Sequence, residues 1–357
     1  MRIIVRYLTV QVLSASLLVF AALISLFALF DLINEMDALG KGGYGFAQVL
    51  LYVALNIPGH LYDLLPVAAL IGSLLALSRL VSNSELTIML ASGVSMRRIA
   101  GYMMLIGLLF TVMTWMVGEL IAPTTDRFAE QLKLKATHQL VAQAFRSGLW
   151  VRDHNQFINV REVTANGGLR EVNAYSFNSQ FHLQSIFRAA QGRFVQGNVW
   201  NLTHIDTTWF LQQGIQVRHS DQMQWHSVLT PAIMNVLLVA PEKMSAQDLW
   251  AYVQHLNNNQ QPSKRYEIAL WSKLMYPLAA PVMLLLALPF AWHRPRAGSV
   301  STRVFAGIMV GLSFHLFNRL FAYIGLLNDW SAWLSVSLPT MVFLSLGLGL
   351  LWHAERR

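Results

Sequence analysis

The stretch YLTVQVLSASLLVFAALISLFALF (Tyr7–Phe30) contains no charged side chain. A helix that crosses a bilayer needs about 20 consecutive, mostly apolar residues, so this stretch predicts a membrane span close to the beginning of the chain. The run is longer than the apolar part of a signal peptide, and no convincing small-residue cleavage site follows it. We therefore interpret it as a retained membrane anchor.

Five further apolar segments have the length of a membrane span. The chain of 357 residues is 55% hydrophobic and only 12% charged, whereas an average soluble domain is about 25% charged. The sequence therefore predicts an α-helical polytopic membrane protein with six transmembrane helices, three before and three after a polar insertion. The later segments are 49–77, 99–118, 268–292, 304–326 and 330–352.

The insertion has the pattern of an all-β domain. Short β-type runs are separated by glycine- and asparagine-containing turns, at spacings typical of a sandwich or jelly roll. Alternation within the runs predicts that Leu149 shares a face with Val151, and Val199 with Ile205. The predicted division is a first helical part, a jelly-roll-like domain and a second helical part, at residues 1–122, 123–266 and 267–357.

Basic residues flank the spans unequally. Lysine and arginine accumulate on the cytoplasmic side of membrane proteins, and Lys41 is alone in the short loops of the opposite side. This predicts that both termini are cytoplasmic and that the β domain lies outside the cytoplasm. The formal net charge of +8 is then a membrane-orientation signal, and we expect no nucleic-acid partner. The arginines on the cytoplasmic side are Arg2, Arg6, Arg79, Arg97, Arg98, Arg294, Arg296, Arg303, Arg356 and Arg357.

Several kinds of chemistry are excluded or lack their motifs. The chain contains no cysteine, which excludes disulfides and thiolate metal sites. It has no G-x-x-x-x-G-K-[ST] phosphate loop and no H-E-x-x-H zinc motif. We therefore expect no catalytic residues, no metal site and no cofactor bound by this chain.

The loop between the second and third spans predicts a short cytoplasmic helix at 82–93. Ser82 and Glu85 have the spacing of a capping box, and Gly93 is placed to end the helix. One apolar stripe follows from the helical period, formed by Leu86, Met89 and Leu90. Such a helix fits either a docking element for an ATPase or a helix lying on the lipid surface, and the pattern alone leaves both open.

Ionisable side chains inside spans are costly and are functional by default. His60 and Asp63 share one helix face, while Glu119 and Lys133 bracket the outer end of the third span. Arg319 lies deepest within a span, and for this residue a functional role is favoured. For the others, a polar substrate path and mutual pairing between helices stay equally open.

The chain resembles the lipopolysaccharide export permeases of the LptF/LptG family, and among them the G-type subunits most closely. The resemblance covers nearly the whole length and depends on separate short matches. These are Leu64–Gly72, Ser84–Leu86, Ala91–Gly93, Glu119 with Ala122-Pro123, Gly148–Trp150, and Trp271–Lys273 with Pro277.

The resemblance implies a non-enzymatic permease subunit of an ATP-binding-cassette transporter in the bacterial inner membrane. Its expected partners are an F-type permease, a cytoplasmic ATPase dimer that binds ATP and Mg, and a single-span anchor protein of the periplasmic bridge. The expected substrate is lipopolysaccharide, extracted from the membrane and passed to that bridge. Glu85 would contact the ATPase, together with Leu86, Met89, Leu90 and Gly93.

The resemblance also implies a phosphate contact at the outer end of the third span. Lys133 matches a basic position of the family that meets the lipid A phosphates, and Lys41 is the second candidate. Lys135 and Arg319 complete the predicted substrate-binding set. The outer end of the first span departs from the family, because it is acidic rather than basic, with Asp31, Glu35 and Asp37.

Two other classes of function compete with this interpretation. A proton-coupled secondary transporter of an envelope lipid would use Asp63 or Glu119 as a proton site and would need no ATPase. A membrane-anchored receptor would place its binding function wholly in the β domain. The absence of a cytoplasmic signalling domain in this sequence argues against the receptor.

Overall fold

The computed structural model describes residues 2–137, 148–153, 155–164, 168–178, 180–211, 214–227, 229–230, 240–259, 261–292 and 300–355. Within these ranges, six helical segments are long and apolar enough to cross a membrane, which confirms the three-plus-three prediction. Four of the arginines used for the orientation lie outside the described residues: Arg294, Arg296, Arg356 and Arg357.

Within the described residues before the sheet, five α-helices form the first three spans and one short connecting helix. Helix α1 is Arg2–Glu35 and α2 is Phe46–Ser82, followed by the short α3, Glu85–Ala91. Helix α4, Met96–Met116, continues through a π-helical turn at Val117–Ile121 into α5, Ala122–Ala136. The continuous segment Met96–Ala136 has 41 residues, roughly 60 Å, or about twice the thickness of the hydrocarbon core. Helix α5 therefore projects beyond the membrane.

Five more α-helices lie in the described residues that follow the sheet. They are α6, Ala246–Asn258; α7, Lys264–Met275; α8, Ala279–Trp292; α9, Val300–Leu327; and α10, Ala332–Glu355. The α2 span and the α7–α8 span are mostly buried, whereas α1, α4, α9 and α10 expose most of their surface. The centre of the bundle is therefore formed by α2 and α8. Their shared core includes Leu70, Leu74, Leu77, Met283 and Leu286.

One glycine explains how closely α1 and α2 pack. A Cβ atom on Gly72 would lie 2.4 Å from the Cα atom of Ser16, well inside a possible contact distance. A side chain at this position would therefore force the two helices apart. Small residues bring helix backbones together in the same way in many membrane proteins.

The inserted domain contains one antiparallel sheet of six strands in the order β1-β2-β3-β4-β5-β6. This confirms the predicted β domain; the described strands form a meander, without the Greek-key crossings of a full jelly roll. The strands are β1 Leu149–Asp153, β2 Gln156–Val163, β3 Leu169–Phe177, β4 Leu183–Gln196, β5 Val199–Leu211 and β6 Gly214–His226.

Backbone irregularities change which residues share the inner face of the sheet. Trp200, Leu202 and Ile205 are fully buried in one cluster. The spacing from Leu202 to Ile205 is three rather than two, because His204 adopts a positive φ of 52° and interrupts the alternation. The predicted pairing of Val199 with Ile205 is therefore wrong, since Val199 neighbours Trp200 and points to the other face.

Candidate functional site

The outer corner between α1 and α5 is held together by a half-buried ion pair. The Nζ atom of Lys133 lies 2.7 Å from Oε1 of Glu35, and the ammonium lies 5.2 Å from the ring centroid of Tyr52. The hydroxyl of Tyr44 donates to Oε2 of the same carboxylate at 3.2 Å. Burial, and next the Glu35 charge, raise the pKa of Tyr44, so its hydroxyl stays a donor. The lysine expected to meet phosphate is thus engaged within the chain.

Two more of the predicted lysines belong to the same corner. The backbone N–H of Gly43 donates to the carbonyl of Ala136 at 2.7 Å, which ties the first external loop to the end of α5. Lys41 lies two residues before this link and Lys135 one residue before it, and both side chains are exposed. The three candidate lysines therefore belong to one corner of the bundle, with Lys133 in the ion pair and the other two on its exposed surface.

The acidic outer end of α1 is compensated by partners from other helices. Nε2 of His60 on α2 lies 2.5 Å from Oδ2 of Asp31, and Glu35 is paired with Lys133. His60 thus meets α1, a contact that its spacing to Asp63 did not reveal. For His60 and Lys133, the structure therefore shows mutual pairing between helices, which was one of the two open alternatives.

Arg319 lies apart from the three lysines. It is exposed on the surface of α9 and is in electrostatic range of Asp63 on α2. The hydroxyl of Tyr276 donates to the backbone carbonyl of Asp63. Tyr52, beside Lys133, is eleven residues earlier on α2 than Asp63, so Asp63 lies roughly 16 Å further along the helix axis than Tyr52. Two separate polar regions therefore exist, one at the outer corner and one within the membrane.

A buried lysine near the second region has no counterpart in the predicted set. Lys273 is 7% exposed, and its ammonium lies 4.9 Å from the ring centroid of Tyr62. The carboxylates of Glu119, Asp63 and Asp126 are in electrostatic range of it. A lysine inside an apolar span with carboxylates on the adjacent helices is the sequence signal that could have identified this centre.

Glu119, the alternative proton site, caps a helix. Its carboxylate accepts the backbone N–H groups of Ala246 and Gln247 at 2.9 and 3.3 Å, at the beginning of α6. An acidic side chain is favoured there by the helix dipole and by unpaired N–H groups. Arg127 on α5 also pairs with Asp248 on α6. These contacts attach α6 to the projecting end of the third span.

Helix α3, between the second and third spans, is shorter than predicted and begins differently. The capping-box prediction is wrong: Ser82 belongs to α2 and donates to the carbonyl of Arg79, and Ser84 precedes α3 with a φ of 61°. Gly93 does end the helix, with a φ of 92°. Its N–H donates to Leu90 and the N–H of Val94 to Met89, which is the Schellman pattern.

The apolar stripe of α3 faces the chain's own bundle. Leu86 is buried in the main core, and Met89 and Leu90 pack against it. Glu85 accepts the hydroxyl of Tyr7 on α1 at 2.6 Å. The outward surface instead presents Ile88, which is 64% exposed and which the stripe argument overlooked.

Together, these features define a class: a six-span membrane protein whose third span projects outward and anchors the helix that follows a β domain. The chain belongs to the family described as lipopolysaccharide export system permease LptF/LptG, whose sequence profile matches residues 6–353.

Named relatives of known origin cover almost the same length. The chain is similar to lipopolysaccharide export system permease protein LptG of Haemophilus influenzae, with 28% identity over 340 residues, 95% of each chain. It is also similar to the LptG protein of Escherichia coli K12, with 29% identity over 349 residues, 97% of each chain.

Proposed function

We propose that this chain is a G-type permease subunit of an ATP-driven exporter that extracts lipopolysaccharide from the inner membrane and passes it toward a periplasmic bridge. Family membership and the two relatives support this proposal. In it, an F-type permease completes the membrane unit, a cytoplasmic ATPase dimer binds ATP and Mg, and a single-span protein anchors the bridge. Both termini are cytoplasmic and the β domain is periplasmic.

The observation that carries the substrate assignment is the group of Lys41, Lys133 and Lys135 at the outer ends of α1 and α5. A lipid A headgroup has two phosphates, and charge-assisted hydrogen bonds to phosphate are strong at a partly dehydrated interface. Lys41 and Lys135 are exposed and make the first contacts in this proposal. Lys133 joins them when its pair with Glu35 opens, and Arg319 serves the deeper part of the path.

A charge swap separates phosphate binding from pairing. Lys133→Glu alone sets two carboxylates against each other and should lower lipopolysaccharide-stimulated ATPase activity of the assembled transporter. Adding Glu35→Lys restores the ion pair with the charges exchanged. Full recovery of activity in the double variant would limit Lys133 to a pairing role. Lys41→Glu and Lys135→Glu should each weaken stimulation, whereas Lys264→Glu, which changes a partly exposed cation at the start of α7 outside this corner, is the control.

The ATPase contact is proposed for α3, with Glu85 and Gly93 at its two ends and Ile88 on its outward surface. Leu86, Met89 and Leu90 act in this proposal by holding α3 on the bundle. Glu85→Ala should lower ATPase recovery or transport per ATP hydrolysed. Tyr7→Phe is the control, because it removes the hydrogen bond to Glu85 and keeps the carboxylate. Normal recovery and normal export in Glu85→Ala would contradict the coupling role.

A further inference from the structure

The two ends of the β sheet differ in the residues that they expose. The antiparallel register places the connections after β1, β3 and β5 at one end and those after β2 and β4 at the other. We call the first the near end, because it is tied to the outer surface of the membrane bundle. At the near end, Nε2 of Gln261 donates to the carbonyl of Arg152 at 2.7 Å. Gln261 lies three residues before α7, which leads into the fourth span.

A cleft of about 340 Å³ lies at this end, on the face opposite the core, and its lining is aromatic. Trp150 stacks on Tyr175 at a centroid distance of 5.8 Å, and Phe157 meets Phe177 edge to face at 5.5 Å. The register places Phe157 directly opposite Tyr175 on the neighbouring strand. Trp150 remains 52% exposed even in this stacked arrangement.

The apolar surface continues along the near end to the last hairpin. Ile215 and Val217 of β6 are 69% and 65% exposed, and Phe210 and Leu211 of β5 are also exposed. The upper part of the same outward face is polar, with Asn173 hydrogen-bonded to Arg188 and Asp206 hydrogen-bonded to His219. Trp150 shares the register row of these polar residues, whereas the other exposed apolar side chains of the outward face lie nearer the near end.

Each end of the sheet has a turn that contains a residue with a left-handed φ, and the two residues differ. At the far end, Gly197 takes a φ of 61°, the ordinary solution for a left-handed position. At the near end, Phe181 takes a φ of 60°, although left-handed geometry is unfavourable for a bulky residue. The turn itself is made by Asn178, whose side chain accepts the N–H groups of Gln180 and His182. The turn uses a left-handed residue at this position, and phenylalanine fills it at a conformational cost that glycine or asparagine would avoid, with its ring 66% exposed.

We propose that the near end of the sheet docks onto the lipid surface of the membrane that the six helices cross. Its occupant is the interfacial layer of headgroups and upper acyl chains, where aromatic side chains with polar neighbours are favoured. The tether at Gln261 holds this end beside the span ends, so docking requires little additional ordering of the chain. This proposal does not depend on lipopolysaccharide being the transported substrate.

The absence of cysteine in the sequence makes a spin-label test direct. Ile215→Cys labels the near end, and Val195→Cys labels the far end at a residue that is also aliphatic and 56% exposed. With the full chain in phospholipid nanodiscs, the Ile215 label should collide readily with oxygen and lose access to a water-soluble nickel chelate. The Val195 label should show the opposite. Equal nickel access at both sites overturns the proposal, and so does shielding of Ile215 from both reagents, which would indicate a protein partner.

A second variant separates docking from folding. Phe181→Asn suits the left-handed position better than phenylalanine and should raise the thermal midpoint in detergent. In nanodiscs it should increase nickel access at the Ile215 label, because one interfacial ring is lost. A lower thermal midpoint would show that the ring supports the fold, and unchanged nickel access would show that it does not contact lipid.

Discussion

The end of the bundle that carries α3 and the opposite corner, between α1 and α5, are joined by different kinds of contact. At the first end, α3 is held by apolar packing, with Leu86 buried in the main core. At the outer corner, α1 and α5 are joined by Lys133 and Glu35, a pair that is 30% and 7% exposed. Apolar packing is insensitive to charged ligands, whereas an ion pair has a competitor in any phosphate. We therefore expect the end with α3 to be rigid and the corner between α1 and α5 to be responsive to phosphate.

Leu86→Ala tests the rigid end and should have the largest effect on stability. Removing a buried leucine side chain costs about 2–5 kcal/mol, since both transfer energy and packing are lost. The thermal midpoint of the purified chain in detergent should fall clearly. Ile88→Ala, on the exposed surface of the same helix, should leave the midpoint nearly unchanged. Equal effects of the two variants would show that α3 is not packed as described.

Glu35→Gln tests the responsive end and should have an intermediate effect. The ammonium of Lys133 then loses its charged partner, and a hydrogen bond to a charged group contributes about 1.5–3 kcal/mol. The thermal midpoint should fall less than for Leu86→Ala, and inorganic phosphate should recover part of the loss. A loss that phosphate does not reduce would show that phosphate does not bind at this corner.

His255 on α6 should produce the smallest effect, visible only as a pH dependence. Burial lowers the pKa of this imidazole, against the opposing charge of Asp153. The folded form therefore binds its proton less readily than the unfolded form, so stability is complete above the unfolded pKa of about 6.5 and falls as the pH drops below it. The thermal midpoint should decline less from pH 7 to pH 5.5 in His255→Gln than in the parent chain. An identical decline would assign the dependence to other groups.

The spans were predictable because hydropathy and length are local properties. Twenty uncharged residues such as those within 7–30 specify a membrane helix whatever they pack against. The end of α3 was equally predictable, because a helix that stops at Gly93 needs a left-handed residue at that position.

The contacts between helices were not predictable from one sequence. Helical spacing placed His60 on one face with Asp63, but it could not identify the partner of His60, which is Asp31, 29 positions earlier. Pairing between distant elements depends on helix rotation and on close approaches such as the one at Gly72. The face of Val199 was missed for a related reason, since the left-handed backbone of His204 reverses the alternation that the prediction used.

The third span and α5 form one continuous helical segment, so α5 would move with any tilt of that span. From Gly118 in its π-helical turn to Ala136 the helix continues for 18 residues, about 27 Å. A tilt of about 10° at Gly118 would displace Ala136 by about 5 Å, roughly one helical turn. Glu119 lies next to Gly118 and Arg127 lies midway along α5, and both contact α6. Such a tilt would therefore also displace α6, the helix that follows the β domain.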